Sequence, residues 1–127
     1  MASPFLERPE SEWIASNELA FAIRDRFPVS PGHSLVVPKR PVPDWFDATR
    51  EERMALFDLV EVVKRELDGG SPAPNGYNIG INSGAAAGQT VPHLHVHVIP
   101  RYHGDVPDPT GGVRHVIPGK GNYLAGK

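Results

Sequence analysis

Cysteine is absent from this 127-residue chain, which excludes disulfide bridges and thiolate-held zinc. Long apolar runs are missing too: none approaches the roughly 18–20 residues of a membrane-spanning helix. An excess of basic charge is also lacking. Thirteen Lys and Arg face fifteen Asp and Glu, for a formal net charge of −2, so no broad positive field invites nucleic acid. The opening residues, Met-Ala-Ser-Pro-Phe-Leu-Glu-Arg, hold no basic stretch leading into an apolar one. No secretory leader is expected, and with no cysteine the expected setting is the cytoplasm. Fourteen prolines and thirteen glycines are the surplus, and they imply many turns and short elements.

The length fits one domain, with a core over about 13–101 and an ordered but irregular tail over 102–127. Residues 1–12 are polar with two prolines and are expected to form a loosely held arm. Strands are expected at Trp13–Ser16, Leu19–Arg24, His33–Val37 and Tyr77–Asn82, each bounded by turn residues. One helix is written clearly. Thr49-Arg50-Glu51-Glu52 is a capping box, in which threonine and glutamate each satisfy an orphan amide at the helix start. Leu56, Phe57, Val60, Val63 and Leu67 then recur on one face, and Asp68-Gly69-Gly70 ends the helix. A run of strands with one helix on a face predicts an α+β fold with a mostly antiparallel sheet.

The segment His93-Leu94-His95-Val96-His97-Val98-Ile99 carries the chemistry. In a strand, alternate side chains share a face, so the three imidazoles line one side and Leu94, Val96 and Val98 the other. Imidazole alone among side chains has an ordinary pKa near neutrality. A row of three can relay protons, attack an electrophile or hold a metal. An unpaired row of polar rings on a buried strand is costly, which argues against a purely structural role. The glycine-rich stretch Gly84-Ala-Ala-Ala-Gly88-Gln89-Thr90 leads in. Its glycines permit backbone N–H groups to converge on an anion, and Gln89 and Thr90 add side-chain donors.

The pattern His-φ-His-φ-His-φ-φ, with φ apolar, resembles the signature of the histidine triad (HIT) family of nucleotide hydrolases and transferases. Asn82-Ser-Gly84-Ala-Ala-Ala-Gly88-Gln89-Thr90 is similar to the family's loop before the triad. Pro31-Gly32-His33-Ser-Leu-Val-Val-Pro38 is similar to its upstream strand with a fourth histidine. The tail RYHGDVPDPTGGVR looks like that of bacterial members. The resemblance implies a five-stranded sheet continued across a homodimer and attack at the α-phosphorus of a purine nucleotide. It implies that His95 is the nucleophile of a transient nucleotidyl-histidine, that His97 aids the phosphate or leaving group, and that His33 and His93 support the row. Asp25 falls where the family places a ribose-binding residue, and Asn82, Gly88, Gln89 and Thr90 would meet the phosphate.

No cofactor is implied beyond a divalent ion carried by the substrate's phosphates, and neither membrane nor nucleic acid is an expected partner. The GQTV lead-in and HVIPR ending lean toward dinucleoside polyphosphates over phosphoramidates. Taken alone, an Asp at a strand end more commonly caps a turn, and Phe21, Ile23, Leu35 and Val37 either wall a base pocket or fill core. Two other functions share this sequence. One is a metalloprotein ligated by His93, His95 and His97 with His33. The other is a nucleotide-binding regulator with little turnover.

Overall fold

A computed structural model describes residues 3–126. Five strands, β1 (Ala15–Ser16), β2 (Ala20–Arg24), β3 (Ser34–Pro38), β4 (Gly76–Ile81) and β5 (Val96–Arg101), form one antiparallel sheet in the order β1-β2-β3-β5-β4. The last strand in sequence is thus inserted between two earlier ones. A single long helix, α1 (Arg50–Asp68), covers one face.

The capping box forms in full. Thr49 Oγ1 accepts from the Glu52 amide and Glu52 accepts from the Thr49 amide. Glu52 is buried, and the Arg40 guanidinium binds both its oxygens at 2.7 and 2.9 Å. That pairing holds the Glu52 carboxyl below its ordinary pKa and ties the preceding loop to the helix start. Ala55, Leu56, Leu59, Val63 and Leu67 face the sheet. Phe57 does not: it is half exposed and packs on Trp45. At about 100° per residue, position 57 lies a quarter-turn from Leu56, off the buried stripe that Leu59 completes.

The core has two layers. Between sheet and helix lie Ala22, Val36, Leu94, Val96 and Val98 with the helix residues. On the opposite face lie Phe21, Ile23, Leu35 and Val37, each worth roughly 1.5–3 kcal/mol when fully buried. This second layer is covered by the N-terminal segment, which is where the structure departs most from expectation. Residues 3–12 are packed, not loose. Ser3 and Phe5 are buried, Arg8 donates to the Arg24 carbonyl and pairs with Glu12, and Trp13 stacks on Phe21 at 4.6 Å between ring centres. Two aromatic rings on an otherwise uncovered sheet face provide the apolar contact that holds the arm. After Arg101 the chain is irregular apart from a 3₁₀ turn, Gly112–Val116, that lies against β4.

Candidate active site

β5 begins at Val96, so His97 is the one triad residue within a strand. His93 and His95 precede it in extended chain. There the Leu94 amide bonds the Val42 carbonyl, and the backbone leaves the sheet. The three rings therefore do not form an even row. His93 turns into the protein while His95 and His97 sit edge to face, 5.1 Å apart.

Backbone groups fix the proton on His33, His93 and His95, because an amide can only donate and a carbonyl can only accept, and His33 in turn fixes it on His97. The Val29 amide donates to His33 Nδ1 at 3.1 Å, so neutral His33 carries its hydrogen on Nε2. That hydrogen points to His97 Nδ1 at 2.9 Å, with Asp25 Oδ2 at 3.3 Å. His97 Nδ1 thus accepts, and His97 carries its own hydrogen on Nε2. In His93, Nε2–H donates to the Pro38 carbonyl at 2.8 Å and Nδ1 accepts from the Ser3 hydroxyl at 2.6 Å. The same hydroxyl accepts from the Phe5 amide. In His95, Nδ1–H donates to the His93 carbonyl at 2.8 Å, which leaves the Nε2 lone pair unspent. One ring is therefore prepared as a nucleophile and its neighbour as a hydrogen-bond donor.

Electrostatics agree with neutral supporting rings. Burial pushes His97 down from 6.5 to about 4, assisted by His95 and His33 and opposed by Asp25. Burial likewise lowers His33, against the pull of Asp25, and His93, against the Pro38 carbonyl.

His33, His95, His97, Asp25, Asn82, Gly88 and Thr90 line one cavity of about 540 Å³, a volume suited to a small-molecule ligand. Two expected residues lie elsewhere. His93 is fully engaged beneath the site. Gln89 binds the loop to itself: its oxygen accepts from the Gly84 amide, and its nitrogen donates to the Pro43 and Val91 carbonyls. The loop amides of Ala87, Gly88 and Gln89 also bond within the loop. The expected ring of converging N–H groups is consequently spent on the loop's own shape, which Gly84 and Gly88 permit with φ of 90° and 92°. Asp25 both caps its turn, accepting from the Phe27 amide, and faces the cavity. Of the apolar strand residues, Leu35 alone reaches the cavity; Phe21, Ile23 and Val37 are core.

Sequence reasoning passed over Phe5 and Arg8, which the packed arm brings to the same cavity. The Phe5 ring meets His95 edge-on at 4.9 Å. The available signal was the apolar pair Phe5-Leu6 within a polar, proline-bearing segment.

A metal fits these residues poorly. Ligand atoms of Asp25, His33 and His97 lie within 4.8 Å of one another, and imidazole ligates through an unprotonated nitrogen. With Val29 donating to Nδ1, the proton of His33 occupies the nitrogen that faces the group. His93 has no nitrogen to offer.

The HIT domain family model matches residues 7–104. The chain is 38% identical over 110 residues to a Mycobacterium tuberculosis protein named AP-4-A phosphorylase, covering 82% of this chain and 56% of that one. It is 44% identical over 95 residues to the Schizosaccharomyces pombe bis(5'-nucleosyl)-tetraphosphatase (asymmetrical), covering 75% and 52%. A solved HIT-family structure from Bacillus subtilis superposes with a TM-score of 0.73 at 31% identity, covering 83% of this chain and 77% of that one. The chain spans about half the length of these two curated relatives.

Proposed function

This chain belongs to the HIT domain family, and on that premise we propose that it cleaves nucleoside polyphosphates at the α-phosphorus through a covalent nucleotidyl-histidine. One observation carries the reading: His95 Nε2 holds a free lone pair beside His97, with the proton on His95 set by the His93 carbonyl and that on His97 set through His33, whose own tautomer the Val29 amide fixes. His95 Nε2 attacks the α-phosphorus, the bond to the bridging oxygen breaks, and that oxygen keeps the electron pair. His97 Nε2–H donates a hydrogen bond to the departing oxygen. Water then forms the new P–O bond, its proton goes to solvent, and the P–N electron pair returns to His95. Splitting one displacement into two lowers the barrier of each.

A neutral His97 supports leaving groups that are stable as anions. A polyphosphate departs that way, whereas an amine must be protonated as it leaves. The relatives named AP-4-A phosphorylase and bis(5'-nucleosyl)-tetraphosphatase favour the same substrate class. Asn82 and Thr90 would meet the α-phosphate, Asp25 the ribose, and Leu35 and Phe5 the base. No protein-held metal is needed; a divalent ion would arrive on the substrate's phosphates. The setting is cytoplasmic, without nucleic-acid or membrane partners, and no helix among the described residues is long and apolar enough to cross a membrane.

The protein acts as a homodimer on this reading. β4 is a six-residue edge strand, whereas the other edge, β1, has only two residues. An open edge of that length invites a second copy, and light scattering should report twice 13.8 kDa.

The deciding experiment is His95→Asn assayed on a panel of adenylyl and guanylyl substrates. Turnover should fall by several orders of magnitude while nucleotide binding is largely retained. Retention of more than about a tenth of the activity would remove His95 as nucleophile.

A further inference from the structure

A second cavity, of about 710 Å³, opens beside the first. Val29, His33, Asn82 and His97 line both; His95 and Phe5 line only the first. An attacking atom and a leaving group lie on opposite sides of the phosphorus they share. With His95 on one side, a departing half placed opposite it would pass His97, which lines both cavities, toward the second.

The walls have a distinct chemistry. Asn78, Gly80 and Asn82 come from β4 and its end, and Val113, His115 and Val116 from the 3₁₀ turn of the tail. Among the described residues no Asp, Glu, Lys or Arg lines this cavity, in contrast to Arg8, Asp25 and Arg26 in the first. A bare phosphate chain would find no counter-charge there. Val113 and Val116 are 60% and 75% exposed, on a turn that is itself firmly built. Arg114 donates to the Gly121 carbonyl, His115 Nε2–H to the Thr110 carbonyl, and Asn122 to Asp108. Two apolar side chains held on an ordered turn, facing a trench without carboxylate, ammonium or guanidinium groups, suit a flat apolar group.

Building on the reading above, we infer that the tail turn Gly112–Val116 is the subsite for the departing half of the substrate, and that this half carries a second nucleobase. The sheet face supplies neutral amides to its ribose or phosphates, and the valines bury one face of its ring.

The test compares wild type with a Val113→Ser/Val116→Ser variant on diadenosine tetraphosphate and on adenosine tetraphosphate, which lacks the second nucleoside. Wild type should prefer the dinucleotide by about tenfold or more in kcat/KM, and the variant should bring that ratio close to one. Calorimetric titration of the His95→Asn protein with both compounds, with and without the serine changes, gives the same comparison without turnover. If neither compound is cleaved, the catalytic reading fails while the titration still decides the subsite. Equal affinity for the two compounds in wild type, or an unchanged preference in the variant, overturns the inference. So does a change in the mass measured by light scattering, because the turn would then be a contact between copies.

Discussion

Lowering the pH from about 7.5 to about 5 should make this protein unfold at progressively lower temperature, and the buried histidines set the size of the effect. His97 titrates at about 4 when folded and at its ordinary 6.5 when unfolded. Between those values the unfolded chain binds a proton that the folded protein refuses, so stability rises with pH there. Its contribution is complete above 6.5, declines as pH falls, and is gone below about 4. One pKa unit is worth about 1.4 kcal/mol, so the full difference corresponds to about 3 kcal/mol, of which about 2 is lost by pH 5.

His33 and His93 are lowered in the same direction and add to the loss. Glu52, Asp68, Asp105 and Asp108 are also lowered. As carboxylates, their stabilisation disappears only below about pH 4.5, outside this window. At roughly 3–5 °C per kcal/mol for a domain of this size, His97 alone should shift Tm by roughly 6–10 °C. Scanning calorimetry across the pH series measures the slope, and His97→Asn should make it shallower. A Tm that stays level from pH 7.5 to 5, or a slope identical in the variant, would refute the argument.

Two further outcomes follow from packing. Ser3→Ala leaves His93 Nδ1 without a donor and the Phe5 amide without an acceptor in a buried place; the loss should be about 1–3 kcal/mol, with faster hydrogen exchange in the arm and a higher KM as Phe5 leaves the cavity. Unchanged exchange in the arm would contradict the coupling. Leu56→Ala empties a fully buried site on α1 and should lower stability by about 2–5 kcal/mol by urea unfolding, with nucleotide affinity intact in the folded fraction.

Local rules carried the readable part of the fold. The capping box, the β2 and β3 strands and the separation of Leu94, Val96 and Val98 from the cavity all depend on spacing within a few residues. What stayed hidden depends on distant partners. Ser3 reaches His93 across 90 positions, and Gln89 reaches the Pro43 carbonyl across 46. Neither leaves a periodic trace. The docking of the arm leaves no period in the sequence, because Phe5 and Leu6 stand alone among prolines and acids, yet Phe5 with Trp13 holds it to the sheet. His93 matched the triad spacing yet serves through its carbonyl, and the same letters would be written whether its ring faced the cavity or the core.

The placement of β5 also governs how the chain must fold. Ser34 of β3 pairs with Val98, and Gly80 of β4 pairs with His97, so both neighbours are made before the strand that joins them. Until it arrives, each presents an unsatisfied edge, the kind of surface through which partly folded chains associate. Pairings this remote in sequence slow the search for the native state. A ribosome-bound chain ending short of Val96 has the sequence of the helix and of four strands but lacks His97 and the strand that carries it. The pairing of His97 with Leu35 of β3 and Gly80 of β4 therefore waits on the synthesis of β5, the last strand in the chain.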